Sequence, residues 1–149
     1  MGSHSLDIPS DLLASPSFQL ERLRRRTRDR VEAVLAKDDT SLRGYWVLTC
    51  LTSDDAASQT TLCSILGMDA SDMVRLLDAL EARGWCKRTR DPKDRRRQIV
   101  AATKKGRNAQ KRLSVLVSQA EDAALEESTP KQLKQLRKLA QAIFAAEEA

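Results

Sequence analysis

The chain has 149 residues, 41% of them hydrophobic and 32% charged, with a net charge of +5; this fits one ordinary globular domain. No run reaches the ~18 apolar residues of a membrane-spanning helix, and no apolar stretch follows basic residues near the N-terminus, so the reading is a cytoplasmic protein without a secretory signal. Three cysteines without CxxC spacing and a single histidine, His4, leave no zinc set, no catalytic set and no metal or cofactor requirement, and an odd cysteine count suits a reducing compartment.

Met1 to His4 reads as the remnant of an expression tag, and residues 1–16 together as tag and flexible lead-in. From Ser17 to Leu35, Leu20, Leu23, Val31 and Val34 recur at three- and four-residue steps with Thr27 between them, which predicts an amphipathic helix. Its other faces carry Arg22, Arg24, Arg25, Arg26, Arg28 and Arg30. Ser41 is placed to cap a second helix with the apolar set Leu42, Tyr45, Trp46, Leu48 and Leu51. Ser58 is placed to cap a short third helix ended by Gly67. Asp69 then caps a fourth, which runs to Arg83 with Met73, Leu76, Leu77 and Leu80 as its buried stripe. Two helices joined by about three residues form a helix-turn-helix unit.

After Gly84 the periodicity changes. Trp85–Thr89 and Gln98–Thr103 are short enough for strands, with the Asp91-Pro92 turn signal between them. Thr103 caps a long helix to about Glu127 with the seam Leu113, Leu116, Val117, Ala120 and Ala124. Thr129-Pro130-Lys131-Gln132 is a capping box that opens a last helix, with Leu133, Leu136, Ala140, Ile143 and Phe144 inward. The expected fold is mainly α with a small β-hairpin wing: a winged helix-turn-helix core flanked by N- and C-terminal dimerisation helices. The apolar seams at the two chain ends are too long for a three-helix core to cover, so burial against a second copy is expected. The faces named for it are Leu20, Leu23, Val31, Leu133, Leu136, Ile143 and Phe144.

Between Arg83 and Arg112 stand 13 lysines and arginines against two acids, Asp91 and Asp94. A block this one-sided points to a polyanionic partner. The helix from Asp69 would show Ser71, Val74, Arg75 and Asp78 to a major groove. Arg75 suits guanine, Val74 a thymine methyl, and Ser71 a base or phosphate, while Asp72 reads as a helix-start charge. The hairpin tip Lys93, Asp94, Arg95, Arg96 and Arg97 is expected in the adjacent minor groove, with Asp94 pairing a neighbouring arginine to hold its shape.

The segment GMDASDMVRLLDALEARGWCKRTRDPKDRRRQIVAATKKGR resembles the MarR (multiple antibiotic resistance regulator) family of bacterial transcription factors. The strongest part is Asp91-Pro92-x-Asp94-Arg95-Arg96, followed by Thr103-x-x-Gly106-Arg107 and preceded by the frame Asp69-x-Ser71, Arg75-Leu76, Asp78-x-Leu80-Glu81 and Gly84. Ala70, on the DNA-reading helix, departs from the larger polar or basic residue common in the family. Ala102 and Lys104 replace a common leucine and proline. The resemblance implies a nucleoid-associated homodimeric regulator, more often a repressor than an activator, on a double-stranded, pseudo-palindromic operator. It assigns residues 41–106 to the DNA-binding lobe, and 17–40 and 107–149 to dimerisation, within one domain spanning 17–149. It also implies a small aromatic effector between the two parts, where Tyr45 and Trp46 either line the pocket or belong to the core. Some relatives sense oxidants through a cysteine, and Cys86, beside Lys87 and Arg88, is the candidate here. A winged-helix module that grips an acidic protein is the rival reading.

Overall fold

The structure is a computed structural model describing residues 6–54 and 56–149, and within these the chain forms seven helices and three strands. In chain order they are α1 (Ser10–Leu13), α2 (Pro16–Ala36), α3 (Leu42–Ser53), β1 (Ala57–Ser58), α4 (Gln59–Leu66), α5 (Ala70–Ala82), β2 (Cys86–Arg90), β3 (Gln98–Ala102), α6 (Lys104–Ala124) and α7 (Pro130–Glu147). The fold is mainly helical with a small wing sheet, as expected. The reading of Met1 to His4 as a tag falls outside the described residues.

The starts of five helices are set by short polar side chains that take a free amide of the first turn. Ser41 accepts from the Gly44 amide at 3.1 Å, Ser58 from Thr61 at 3.1 Å, Asp69 from Asp72 at 2.8 Å and Thr103 from Gly106 at 3.0 Å. At α7 the capping box closes both ways: Thr129 Oγ1 accepts from the Gln132 amide, and Gln132 Oε1 from the Thr129 amide. Gly67 ends α4 in the left-handed region, at φ +61°.

Leu48, Leu51, Leu62, Met73, Leu77, Val100 and Leu113 meet in one fully buried core drawn from α3, α4, α5, β3 and α6. Burying each such side chain is worth about 1.5–3 kcal/mol. A tight junction fixes the wing to this core. Thr103 Oγ1 donates to the Gly84 carbonyl at 2.5 Å, and the Thr103 amide to the Trp85 carbonyl at 3.0 Å. Gly106 lies against the same backbone, where a Cβ would sit 1.9 Å from the Trp85 oxygen. The Thr-x-x-Gly spacing is therefore a packing requirement: α6 begins where it must cross the strand leading into the wing.

Several expectations are corrected. The wing sheet has three antiparallel strands in the order β1-β3-β2, because Ala57 and Ser58 pair with Val100 and Ile99. A two-residue strand carries no periodicity of its own. The lead-in contains one helical turn, α1. Val31 is buried in its own chain's core beside Leu35, so it is not available to a second copy, whereas Leu23 and Leu20, about two and three turns earlier, are exposed. Trp46 is turned outward, and Val47 fills the core position instead. The seam of α7 does not face inward: α7 has no buried residue, and Leu136, Leu139, Ile143 and Phe144 are all exposed.

Candidate nucleic-acid interface

The helix-turn-helix pair α4–α5 presents one face to solvent and one to the core. Met73, Leu77 and Leu80 are buried, while Ala70, Ser71, Val74, Arg75 and Asp78 are exposed. The acids on and near this face are already engaged. Arg88 of β2 donates from Nη2 to Asp78 at 2.5 Å and from Nε to Glu81 at 2.8 Å. Glu81 first, then Asp78, hold the Arg88 proton more firmly than usual. Asp72 pairs with Arg43 of α3 at 3.7 Å. Asp78, expected on the groove-facing side of the helix, is thus a strap between the helix and the wing sheet. Asp72 is a helix-start charge with an added partner on α3. Ser71, Val74 and Arg75 remain exposed on this face with no carboxylate within 4.0 Å of Arg75 among the described residues.

The wing tip is shaped through its backbone. The Asp91 amide donates to the Arg97 carbonyl at 2.9 Å, closing the loop. Asp91 Oδ1 accepts from the Lys93 amide at 2.9 Å, and Asp94 Oδ1 from the Arg96 amide at 3.1 Å. Asp94 was expected to pair an arginine side chain. It holds the tip in shape, but by accepting from main-chain amides, its carbonyl also taking the Arg97 amide at 2.9 Å. Lys93, Arg95, Arg96 and Arg97 are left exposed at the tip, with no carboxylate within 4.0 Å among the described residues.

Elsewhere in the basic block, Arg83 and Arg112 both bind Asp38 in the α2–α3 connection, and Arg83 also donates to the Asp38 carbonyl at 2.5 Å while lying 4.1 Å over the Trp85 ring. Arg83, Arg88 and Arg112 are therefore structural. The remaining cations between residues 83 and 112, exposed except for the half-buried Arg107, have no acid partner among the described residues, which makes the wing side of the molecule strongly positive.

A cleft of about 560 Å³ lies between α2, α3 and α6. Tyr45 and Trp46 line it, together with Arg24, Arg28, Arg43 and Glu121. The sequence reading named the two aromatics and missed the charged groups, whose convergence from three helices leaves no linear signal. Partial burial, then Asp122, holds Glu121 above the usual carboxylate range, against the opposing pull of Arg137.

Cys86 does not fit a redox role. It is buried, its Sγ faces the Leu77 carbonyl at 3.9 Å, and burial followed by Glu81 pushes its pKa up to about 11, against the opposing pull of Arg88. The adjacent cations that suggested a thiolate are turned elsewhere: Arg88 is held by the two acids of α5.

Residues 41–97 match the family model described as MarR family. No curated protein matches the chain by sequence. Among solved structures, the chain is similar to a MarR-family transcriptional regulator from Rhodococcus sp. RHA1, with 29% identity, a TM-score of 0.82, and coverage of 93% of this chain and 96% of that one. It is also similar to the transcriptional repressor CouR bound to a 23-mer DNA duplex, with 28% identity, a TM-score of 0.80 and coverage of 94% and 99%. CouR from Rhodococcus jostii RHA1 bound to p-coumaroyl-CoA matches at 26% identity, with a TM-score of 0.78 and coverage of 91% and 95%. With the helix-turn-helix, the wing and the junction at Gly106 all in place, the chain resembles the MarR family of winged-helix, DNA-binding transcriptional regulators in its fold and in residues 41–97.

Proposed function

We propose that two copies of this chain act as a repressor on a pseudo-palindromic duplex in the bacterial cytoplasm, associated with the nucleoid. The carrying observation is the arrangement of unpaired Arg95, Arg96 and Arg97 on a backbone-locked tip beside the free face of α5. The helix enters the major groove, where Arg75 and Val74 meet base edges, and the tip enters the flanking minor groove, where the potential is most negative. Residues 41–106 form this reading lobe. Residues 17–40 and 107–149 join the copies, through Leu20, Leu23, Leu133, Leu136, Ile143 and Phe144. A twofold dimer spaces the two α5 helices about one DNA turn, ~34 Å, apart.

The cleft beside Tyr45 and Trp46 accepts a small aromatic effector whose binding lowers DNA affinity. CouR in complex with p-coumaroyl-CoA and CouR on DNA support this reading by likeness. Selection of binders from random duplex DNA, with sedimentation equilibrium of the complex, tests the proposal. The expected result is an enriched inverted repeat carrying two protomers. An empty selection, with retention of acidic proteins instead, would favour the interaction module.

A further inference from the structure

Arg83, Gly84 and Trp85, where α5 ends, are each held from outside the helix-turn-helix. The Gly84 and Trp85 carbonyls accept from the hydroxyl and the amide of Thr103 at the start of α6. Arg83 reaches the other way, to the end of α2. There Asp39 adopts a left-handed backbone at φ +50°, the one non-glycine residue to do so among the described residues, and the Thr40 amide closes the turn on the Leu35 carbonyl at 3.2 Å. Both the Asp38 and the Asp39 carbonyl accept from Arg83 Nη1, at 2.5 and 3.2 Å, while Nη2 lies 3.6 Å from the Asp38 carboxylate. The guanidinium thus occupies the negative end of α2 and lies over the Trp85 ring. Arg112 of α6 takes the other oxygen of the same carboxylate. The Arg83 and Asp38 side chains are 34% and 25% exposed, so the cluster is better shielded than an ordinary surface pair.

We propose that Arg83 is a positioning residue for DNA reading: by plugging the end of α2 and sharing Asp38 with Arg112, it fixes the direction of α5 relative to α2 and α6, and so sets the half-site spacing that two joined copies accept. The inference rests on the proposed dimer on an inverted repeat, and deepens it by naming what holds the spacing. The lever is long. From Arg83 to Ser71 the helix rises about 18 Å, so a tilt of about 10° at Arg83 carries Ser71 about 3 Å, close to the ~3.4 Å step of one base pair. The strap from Arg88 to Asp78 and Glu81 has no such reach, because it ties α5 to the wing sheet of the same lobe. Arg83 instead crosses from α5 to the two helices assigned to joining the copies. A dimer meets a changed spacing either by leaving base contacts unmade or by tilting α5. Tilting breaks the charged hydrogen bonds of Arg83, so the intact cluster makes the dimer selective for one spacing.

The test compares the full chain as wild type and as Arg83→Gln on the duplex recovered by selection, on the same duplex with its spacer lengthened or shortened by one base pair, and on a single half-site. Wild type is expected to lose on the order of tenfold in affinity when the spacer changes, as one helix leaves its register. Arg83→Gln is expected to narrow that gap to about threefold, yet to bind the single half-site within about twofold of wild type, because no proposed base contact is touched. Arg83→Lys, which keeps the charge at the end of α2 but not the fork, is expected to fall between the two. Asp38→Asn leaves the carbonyl contacts and removes both carboxylate pairs. It is expected to narrow the gap in the same direction, and carries the comparison should Arg83→Gln melt too low. Variants that weaken binding to every duplex by one common factor, keeping the wild-type spacer preference, would make the cluster a stability element and overturn the proposal. If wild type itself shows no spacer preference, or binds the single half-site as tightly as the repeat, the paired-copy reading falls and the role of Arg83 with it.

Discussion

Helix α5, proposed to read DNA, and the wing beside it treat charge in opposite ways. On α5 all three acids are engaged by arginines of other elements, Asp72 by Arg43, and Asp78 and Glu81 by Arg88. On the wing tip the acids serve the backbone, and the arginines are left open. The contrast separates two tasks. The helix is fixed in orientation by internal ion pairs and offers a small, nearly neutral reading surface. The tip offers concentrated positive charge that carries little sequence information. On the proposed function, affinity and its salt dependence belong mainly to the wing, and selectivity mainly to α5.

The largest expected effect comes from breaking the wing. Arg95→Ala/Arg96→Ala should lower affinity by on the order of 100-fold and reduce the salt slope by roughly one to two, as contacts to the phosphate-rich grooves are lost. Fluorescence anisotropy checks this; a loss confined to one sequence would assign the reading role to the wing instead. Arg75→Ala should cost about 1–3 kcal/mol on the selected duplex and almost nothing on scrambled DNA. An equal loss on both sequences would make Arg75 a backbone contact. Arg88→Ala should be milder, about two- to ten-fold, because exposed ion pairs are individually weak. Here the signature is recovery: adding Asp78→Asn and Glu81→Gln should restore most of the affinity, and if it does not, the strap has another role.

The smallest effect concerns Cys86. With its folded pKa raised to about 11 from an ordinary value near 9, the buried thiol contributes stability that is fully present below pH 9 and is lost as pH rises toward 11. Thermal melting of wild type should therefore fall across that window more than that of Cys86→Ala, and mild peroxide should leave DNA binding unchanged. Rapid alkylation of Cys86 at neutral pH would contradict its burial.

The helix starts were legible because a cap is local: Ser41, Ser58, Asp69, Thr103 and Thr129 act on amides three residues away. The wing tip was legible for the same reason, as an Asp-Pro turn crowded with arginine. What the sequence hid was long-range. Arg88 reads as one more cation in a basic block, and nothing local says that it turns back to Asp78 and Glu81. Val31 and Leu23 share one periodic seam, yet the first is buried in the core and the second is exposed. The neighbours Lys87 and Arg88 suggest a reactive thiol at Cys86, but strand alternation sends Lys87 to the opposite face. Arg88 shares the face of Cys86, yet its charge is taken by Asp78 and Glu81, and burial outweighs its pull on the thiol.

The most direct test of the division between wing and helix is a salt titration of duplex binding by three proteins: wild type, Arg95→Ala/Arg96→Ala, and Arg75→Ala. Each is measured on the selected duplex and on its scrambled counterpart. The account predicts that the wing variant loses affinity and salt slope alike on both duplexes, while Arg75→Ala keeps the wild-type slope and loses affinity only on the selected one. A wing variant that keeps the wild-type slope, or an Arg75→Ala protein that still prefers the selected duplex as strongly as wild type, would contradict it.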